Sequence, residues 1–230
     1  MAINIFGQEV GNTLDGWSPR ERPNREYILE GSFCILEPFN VEKHSIALHE
    51  AFSNSHASWT YLSYGPFETL ELFQLWMRNK ILEPDTLMYV VMDREVRIPL
   101  GFCGYCRMNP DHGVIEVGHV HFSPSLQKTP IATEALYLLM QYALEILGYR
   151  RYEWECNSLN EASKRAAIRL GFHFEGTFRQ SNVFKGHNRD TCWFSILDSE
   201  WPMLKVKFER WLSRDNFDSK GKQKMPLKMC

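Results

Sequence analysis

Between residues 32 and 212, apolar runs of strand length alternate with amphipathic segments of helical period. The alternation predicts strands over 32–37, 87–92, 99–107, 114–122, 152–156, 172–178 and 191–197, and helices over 41–52, 68–81, 131–147, 160–170 and 200–212. Strands and helices mixed in this way favour an α/β (α+β) fold, because each helix must bury its apolar stripe against a sheet. We therefore expect a central twisted mixed sheet of about seven strands with helices on both faces.

Turn and stop signals support these boundaries. The segment Asn109-Pro-Asp-His-Gly113 is rich in turn formers, so the strands on either side of it should pair as a hairpin. Gly148 and Gly171 each follow a predicted helix, and glycine is the residue that most often ends one.

The two ends of the chain differ from the middle. Residues 1–30 are rich in Gly, Pro, Asn and Arg without sustained periodicity, which predicts an arm lying over the domain. We expect the domain itself over 31–198, and a helix packed on it over 199–214. Residues 215–230 carry four lysines and few apolar side chains, which predicts a basic, flexible tail.

Composition argues against several classes of function. A net charge of -2 gives no electrostatic reason to expect a nucleic-acid partner. No stretch approaches the roughly 18 apolar residues of a membrane span, and the first residues lack the pattern of a secretory signal. The six cysteines are scattered, mostly within apolar runs, which is typical of free thiols in a reducing compartment. We therefore expect a cytoplasmic protein that binds no membrane.

The segment from Val114 to Leu147 passes from a strand through a short loop into a helix. The first turn of such a helix has unpaired N–H groups, which together with the helix dipole form a site for an anion such as phosphate. Most junctions of this kind bind nothing. The residues alone therefore leave a purely structural junction as the alternative.

Two motifs in this frame resemble those of the GNAT acetyltransferases, in their RimJ/RimL-type branch. Gln127-Lys-Thr-Pro-Ile-Ala132 is similar to the family's acetyl-CoA loop, Gln/Arg-x-x-Gly-x-Gly/Ala. Asn160-Glu-Ala-Ser163, followed by Leu170-Gly-Phe172, is similar to the family's Asn-x-x-Ser helix that ends in Leu-Gly-Phe. The order and spacing of the motifs also match, and the resemblance covers residues 31–198. It implies the GNAT fold, acetyl-CoA as cofactor and an amine as the acetyl acceptor.

The resemblance also assigns the cofactor contacts. The backbone of the strand would pair with the pantetheine arm at Val120, His121 and Phe122. The loop and the first helical turn would hold the pyrophosphate through Gln127, Lys128, Thr129, Ile131, Ala132 and Thr133. Asn160 would bind the pantetheine arm.

Pro130 is a departure from the family's loop, because it stands where the first loop glycine should be. Proline has no N–H, so one phosphate donor is lost. It nevertheless suits the first position of a helix. Lys128 and the hydroxyls of Thr129 and Thr133 are the expected replacement contacts.

Acetyl transfer to an amine benefits from a base, because a free amine is mostly protonated at neutral pH. Glu116 stands in a Glu-Val-Gly segment that resembles the family's Glu-Ile-Gly, where a general base is proposed; a structural hydrogen bond is the alternative role. A backbone N–H of residues 118–122 would hold the thioester oxygen. Ser163 would lie near the departing thiolate as a proton donor, since Ala167 occupies the position of the family's tyrosine acid. For Asn160 and Ser163, helix capping is the alternative.

The aromatic residues Trp59, Tyr61 and Tyr64 lie between the first two predicted helices, where family members enclose the amine acceptor. Such rings suit an apolar or cationic acceptor. Packing in the core is the alternative.

Two other constellations compete with this interpretation. Cys103-Gly-Tyr-Cys106 is a C-x-x-C, but residues three apart on a strand face opposite sides of the sheet, and no second such pair completes a zinc site. His119 and His121 should share a strand face near Cys106, where a transition metal is conceivable; ordinary packing is the commoner outcome. We expect no metal. No nucleophile elbow or Walker-type loop is present.

These observations favour an acetyl-CoA-dependent N-acetyltransferase. Its acceptor would be a primary amine, either a small amine or amino acid or a protein N-terminus, which attacks the thioester directly. The alternative is a GNAT-like module that binds CoA or another ligand without turnover. Either a monomer or a homodimer is compatible with the sequence.

Overall fold

The computed structural model describes residues 2–219 and 221–227. The strands are β1 (Ala2–Ile3), β2 (Glu9–Val10), β3 (Leu29–Glu30), β4 (Cys34–Pro38), β5 (Leu87–Asp93), β6 (Pro99–Asn109), β7 (Val114–Phe122), β8 (Arg151–Asn157), β9 (His173–Phe184) and β10 (His187–Leu197). The α-helices are α1 (Val41–Phe52), α2 (Leu70–Leu82), α3 (Pro130–Gln141), α4 (Glu161–Arg169) and α5 (Trp201–Leu212). A π-helical turn, Tyr142–Ile146, continues α3.

The main sheet has eight strands within the described residues, in the order β3-β4-β5-β6-β7-β8-β10-β9. β7 and β8 run parallel, and the other neighbours are antiparallel. β1 and β2 form a separate two-stranded ribbon. The predicted fold class, a mixed sheet covered by helices, is confirmed.

Helices cover both faces of the sheet. Alternate residues of β5 enter two separate apolar clusters: Met88 and Val90 lie in one, Tyr89 and Val91 in the other. The first cluster also contains the buried apolar side chains of α1 and α2, and the second those of α3 and α5. This strand therefore alternates between two cores, which explains why its sequence is apolar from Leu87 to Met92.

Local signals in the sequence fix where the helices begin and end. The side chains of Asn40, Thr69, Thr129 and Asn160 cap α1, α2, α3 and α4 by accepting hydrogen bonds from backbone N–H groups of the first turn. Gly171 follows α4 with a φ of 94°, a conformation that favours glycine. None of the described helices is long and apolar enough to cross a membrane.

The hairpin of β9 and β10 is longer than the sequence indicates, since its strands continue through residues 179–184 and 187–190. These residues are mostly polar, and they pair with each other beyond the end of β8. At the tip, Lys185 Nζ donates a hydrogen bond to the carbonyl of Trp59 over 2.8 Å. The tip therefore reaches across to the segment between α1 and α2.

Both ends of the chain contact the domain. In the arm, Trp17 Nε1 donates to the carbonyl of Asp111, and Arg25 donates to carbonyls at residues 81–86. In the described part of the C-terminal segment, Asn216 and Leu227 are buried. Lys220 and residues 228–230, which belong to the expected tail, lie outside the described residues.

Candidate active site

The two parallel strands at the centre of the sheet separate partway along their length. β7 pairs with β8 from Val114 to Val117, opposite residues 151–154, and the pairing stops there. On its other side, β7 stays paired with β6 as far as Phe122. One edge of β7 therefore has no strand partner from Gly118 onward.

A cavity of about 300 Å³ lies at this separation. The sheet contributes residues from β6, β7, β8 and β10, and the rest of the wall comes from the segment between α1 and α2, the start of α4 and the hairpin tip. The members used below are Tyr61, Tyr64, Cys106, Arg107, Glu116, Gly118, His119, Val120, Trp154, Glu155, Cys156, Asn160, Ser163, Phe184 and Arg189.

Two irregularities in strand pairing shape the cavity wall. The pairing of β6 with β7 shifts by one residue near Arg107 and again near His119. Both residues have a left-handed backbone, with φ of 44° and 55°. Such bulges turn a side chain away from the regular alternation of a strand. They bring two charged or titratable side chains to one cavity.

Glu116 is buried, with only 2% of its surface exposed. Its carboxylate forms an ion pair with Arg107 and lies beside the thiol of Cys106, the residue directly opposite it on β6. Burial raises the pKa of Glu116 to about 8; the charge of Glu155 adds to the rise, and Arg107 opposes it. The same burial, together with Glu116, raises the pKa of the Cys106 thiol.

Arg107 joins Glu116 to a second carboxylate. Its guanidinium also lies 2.6 Å from Glu155 Oε2, and Arg189 lies 3.1 Å from the other oxygen of Glu155. The Arg107 guanidinium stacks on the ring of Trp193 at 4.5 Å. Two arginines and two carboxyl groups therefore alternate across four strands, β6, β7, β8 and β10, beside the cavity.

The two histidines of β7 are held in their neutral forms. His119 Nδ1 lies 2.9 Å from the hydroxyl of Tyr64, and burial lowers the pKa of His119 to about 4. His121 Nε2 lies 2.7 Å from Ser58 Oγ, with its ring stacked on Phe52 at 4.2 Å. Burial lowers the pKa of His121 to about 3.

The loop before α3 is built by its own hydrogen bonds. Thr129 Oγ1 accepts from the N–H of Ala132 and donates to the carbonyl of Leu126. Pro130 occupies the first helical position. An N–H at this position makes no hydrogen bond within the helix, so its absence costs the helix nothing. Lys128 takes a left-handed backbone with φ of 63°, and Gln127 Nε2 donates to the carbonyl of Phe122.

The remaining residues of this group lie in the first turn of α3. Ala132 is buried and Ile131 is half-buried. Thr133 is also buried and accepts a hydrogen bond from Arg169 over 3.2 Å. None of the predicted phosphate contacts between Gln127 and Thr133 lines the cavity at Glu116.

At the start of α4, Asn160 and Ser163 face the cavity. Asn160 Oδ1 accepts a hydrogen bond from the backbone N–H of Ser163 over 3.1 Å, which is the capping role. Ser163 Oγ accepts from the indole N–H of Trp154 over 3.0 Å. Cofactor contacts by these two residues remain a prediction.

The predicted aromatic wall divides into two parts. Tyr61 and Tyr64 line the cavity, but Trp59 is 3% exposed and packs in the core among Phe52, Phe67 and Phe102. The structure thus brings together Glu116, Val120, Asn160, Ser163, Tyr61 and Tyr64, and leaves Trp59, His121 and Phe122 outside the cavity wall.

Sequence reasoning missed Arg107, Glu155 and Arg189. Each stands on a different strand, so no local pattern joins them; only the register of β6, β8 and β10 does. The register places Cys106 opposite Glu116, and Cys106 lines the cavity together with His119 but without His121. Among residues 2–219 and 221–227, no group of three or more His, Cys, Asp or Glu side chains could hold a metal ion.

The profile of the family described as "Acetyltransferase (GNAT) domain" matches residues 34–173. This stretch includes both strands that separate and the helix that follows each of them. The chain therefore belongs to the GNAT acetyltransferase family, and the prediction of an N-acetyltransferase is confirmed.

Three known proteins are similar to this chain in sequence or structure. A GCN5-related N-acetyltransferase from Brucella melitensis is 45% identical and superposes with a TM-score of 0.90 over 93% of this chain and 97% of that chain. The Salmonella typhimurium acetyl transferase that modifies the N-terminal serine of 50S ribosomal subunit protein L7/L12 is 20% identical, with a TM-score of 0.66 over 74% of this chain and 99% of that one. The latter likeness shows a shared fold. The uncharacterized N-acetyltransferase YoaA of Bacillus subtilis is 28% identical over 45% of this chain, which spans 58% of YoaA's length.

Proposed function

We propose that this protein transfers an acetyl group from acetyl-CoA to a primary amine, with Glu116 as the general base. The observation that carries the proposal is the buried carboxyl of Glu116, which faces a cavity at the separation of β7 and β8 with Arg107 as its ion-pair partner; burial raises its pKa. A base is most effective when its pKa lies near the operating pH.

The donor set around the cavity suits the cofactor that the family uses. The free edge of β7 from Gly118 onward offers backbone N–H and carbonyl groups to an extended amide-bearing chain. The first turn of α3 offers N–H groups and the positive end of its dipole to phosphate, and Lys128 lies in the loop directly before it. When bound, acetyl-CoA supplies an activated thioester.

Glu116 would take the proton of the amine that enters the cavity. A protein α-amino group has a pKa of about 8 and a lysine side chain about 10.4. Both are mostly protonated at neutral pH, so a carboxyl whose pKa is raised by burial is suited to accept the amine's proton. The proposed acceptor is a primary amine, either a small amine or amino acid or a protein N-terminus.

Ser163 is the proposed proton donor to the thiolate. Its oxygen accepts from Trp154, which orients the hydroxyl, and its hydrogen is a donor with the Cys156 sulfur as a further neighbour. Backbone N–H groups of β7 beyond Gly118 would hold the carbonyl oxygen of the thioester. Tyr61, Tyr64 and Phe184 form the aromatic part of the wall that would contact the acceptor.

The test begins with binding and then measures turnover. Thermal unfolding with acetyl-CoA and with CoA reports cofactor binding, and thiol release across amines, amino acids and short peptides reports transfer. Glu116→Gln should lower kcat by about 10²- to 10⁴-fold with little change in acetyl-CoA affinity. Glu37→Gln, which alters a buried carboxylate on β4 that pairs with Lys43 outside the cavity, is the matched control and should leave kcat unchanged. Stabilisation by acetyl-CoA without turnover on any amine would favour the binding module.

A further inference from the structure

We propose that Arg107 and Glu155 are positioning residues that together set the charge of Glu116, Arg107 favouring the ionised carboxylate and Glu155 opposing it. The effect on catalysis rests on the proposed role of Glu116 as the base. The effect on the ionisation of Glu116 rests only on the positions of Arg107, Glu155 and Arg189 around it.

Arg107 is the cation that contacts Glu116. The Glu116 side chain is 3% exposed, so its carboxylate has almost no water to stabilise a negative charge. The Arg107 guanidinium is its ion-pair partner and is itself 46% exposed. Removing Arg107 would leave a buried carboxylate without a cation, which disfavours the ionised form.

Glu116 and Glu155 compete for the guanidinium of Arg107. The same guanidinium nitrogen that pairs with Glu116 lies 2.6 Å from Glu155 Oε2. Two carboxylates around one cation repel each other, so the charge on Glu155 raises the cost of ionising Glu116. Arg189 reduces this competition, because it pairs with the other oxygen of Glu155 at 3.1 Å.

The backbone and the ring of Trp193 constrain where the Arg107 side chain lies. Arg107 lies at the bulge of β6 with φ of 44°, and its guanidinium rests on the Trp193 ring. A bulge of this kind places a side chain where regular alternation would not. Arg107 therefore has a fixed position between the two carboxylates.

Other groups face Glu116 from the surrounding strands. Cys106 on β6 lies beside the carboxylate, and the phenol of Tyr152 on β8 lies within its electrostatic reach. His119, three residues further along β7, is held neutral by burial. Glu153, opposite Glu116 on β8, is paired with Arg151. Around neutral pH Cys106, Tyr152 and His119 carry no charge, so the charges in contact with the Glu116–Arg107 pair are those of Glu155 and, behind it, Arg189.

The experiment measures the titration of Glu116 directly by NMR, in the ligand-free full chain with ¹³C-labelled glutamate, and assigns its signal with Glu116→Gln. Arg107→Gln should raise the pKa of Glu116 by at least about one pH unit, and Glu155→Gln should lower it by a similar amount. Arg107→Lys, which keeps the charge, should restore most of the wild-type value. Opposite shifts from two neighbours are not expected of residues that merely support the fold.

Lys205 provides a matched control. It also bridges two carboxylates, lying 2.6 Å from Glu145 and 3.9 Å from Glu209, and none of these three residues lines the cavity. Lys205→Gln should leave the Glu116 titration unchanged. Shifts in the same direction for the Arg107 and Glu155 variants, no shift for either, or an equal shift for Lys205→Gln would overturn the inference.

The catalytic consequence is measured separately. The acid limb of the kcat/KM profile should move with the NMR value in each variant, and a shift of one pH unit changes the ionised fraction by about tenfold on that limb. If no amine is acetylated while the NMR shifts appear as expected, the proposed function fails and the electrostatic inference stands. If Arg107→Gln does not fold, Glu155→Gln and Arg107→Lys still decide the outcome.

Discussion

The indole N–H of Trp154 donates a hydrogen bond to Ser163 Oγ over 3.0 Å, and both residues line the cavity between β7 and β8. Trp154 is buried against Phe172, so its position is fixed by packing. The hydrogen bond links that fixed ring to the first turn of α4. It therefore couples a core residue to a candidate proton donor.

Trp154→Phe keeps most of the ring packing and removes the N–H. We expect kcat to fall on the order of threefold to tenfold, the worth of one ordinary hydrogen bond. The kcat of Ser163→Ala should fall at least as far. The double variant should be no worse than Ser163→Ala. Trp76→Phe is the control, because the indole nitrogen of Trp76 has no hydrogen-bond partner in the described part of the chain. Additive losses in the double variant would contradict the coupling.

Thr129 and Thr69 are both N-caps, but they serve different helices. Replacing either with alanine should destabilise the fold by about 1 kcal/mol, as measured by urea unfolding. Thr129→Ala should in addition weaken acetyl-CoA binding, because it loosens the loop where the pyrophosphate is expected. Calorimetric titration measures that difference. Equal acetyl-CoA affinity in the two variants would show that the loop before α3 does not contribute to cofactor binding.

His121 should make the protein less stable in mild acid. Its pKa in the folded protein is about 3, against 6.5 when unfolded, so below pH 6.5 the unfolded chain binds a proton that the folded one does not. The stabilisation is complete above pH 6.5 and is lost as the pH falls toward 3, at about 1.4 kcal/mol per pH unit for this histidine. His121→Phe should make the dependence of urea midpoints on pH shallower between pH 6.5 and 5. His187→Gln, at an exposed position, should leave the dependence as in the wild type.

Much of the fold follows from local pattern. Residues 41–52 and 114–122 form a helix and a strand with the predicted bounds, because each has a clear period and clear terminal signals. The extension of the last hairpin carries no such signal, since residues 179–190 are mostly polar and exposed. Their strands exist because they pair with each other.

The site was harder to predict than the fold. Glu116 could be proposed from a short motif, but its partners come from strands that are distant in sequence. The bulges at Arg107 and His119 place non-glycine residues in a left-handed conformation, which periodicity does not reveal. Trp59 took the alternative role of packing in the core, because an aromatic residue between two helices suits a pocket and a core equally well.

Glu134 links α3 to the start of β4. Its buried carboxylate accepts three backbone hydrogen bonds, from Ser32, Phe33 and Cys34 at 2.6–2.8 Å. A methyl group on Gly31 would come within 2.3 Å of this carboxylate. Gly31→Ala should therefore destabilise the fold by about 1–3 kcal/mol in denaturant unfolding. Gly176→Ala meets no atom within 4 Å and should be nearly neutral; equal losses would refute this account.

The hydrogen bond from Lys185 to the carbonyl of Trp59 joins two segments that lie far apart in the chain and outside the paired core of the sheet. Part of the cavity wall is thus made by two segments that meet outside the register of β7 and β8. Insertions at the turn after Phe184, or between α1 and α2, would therefore reshape the cavity while the separated strands stay as they are.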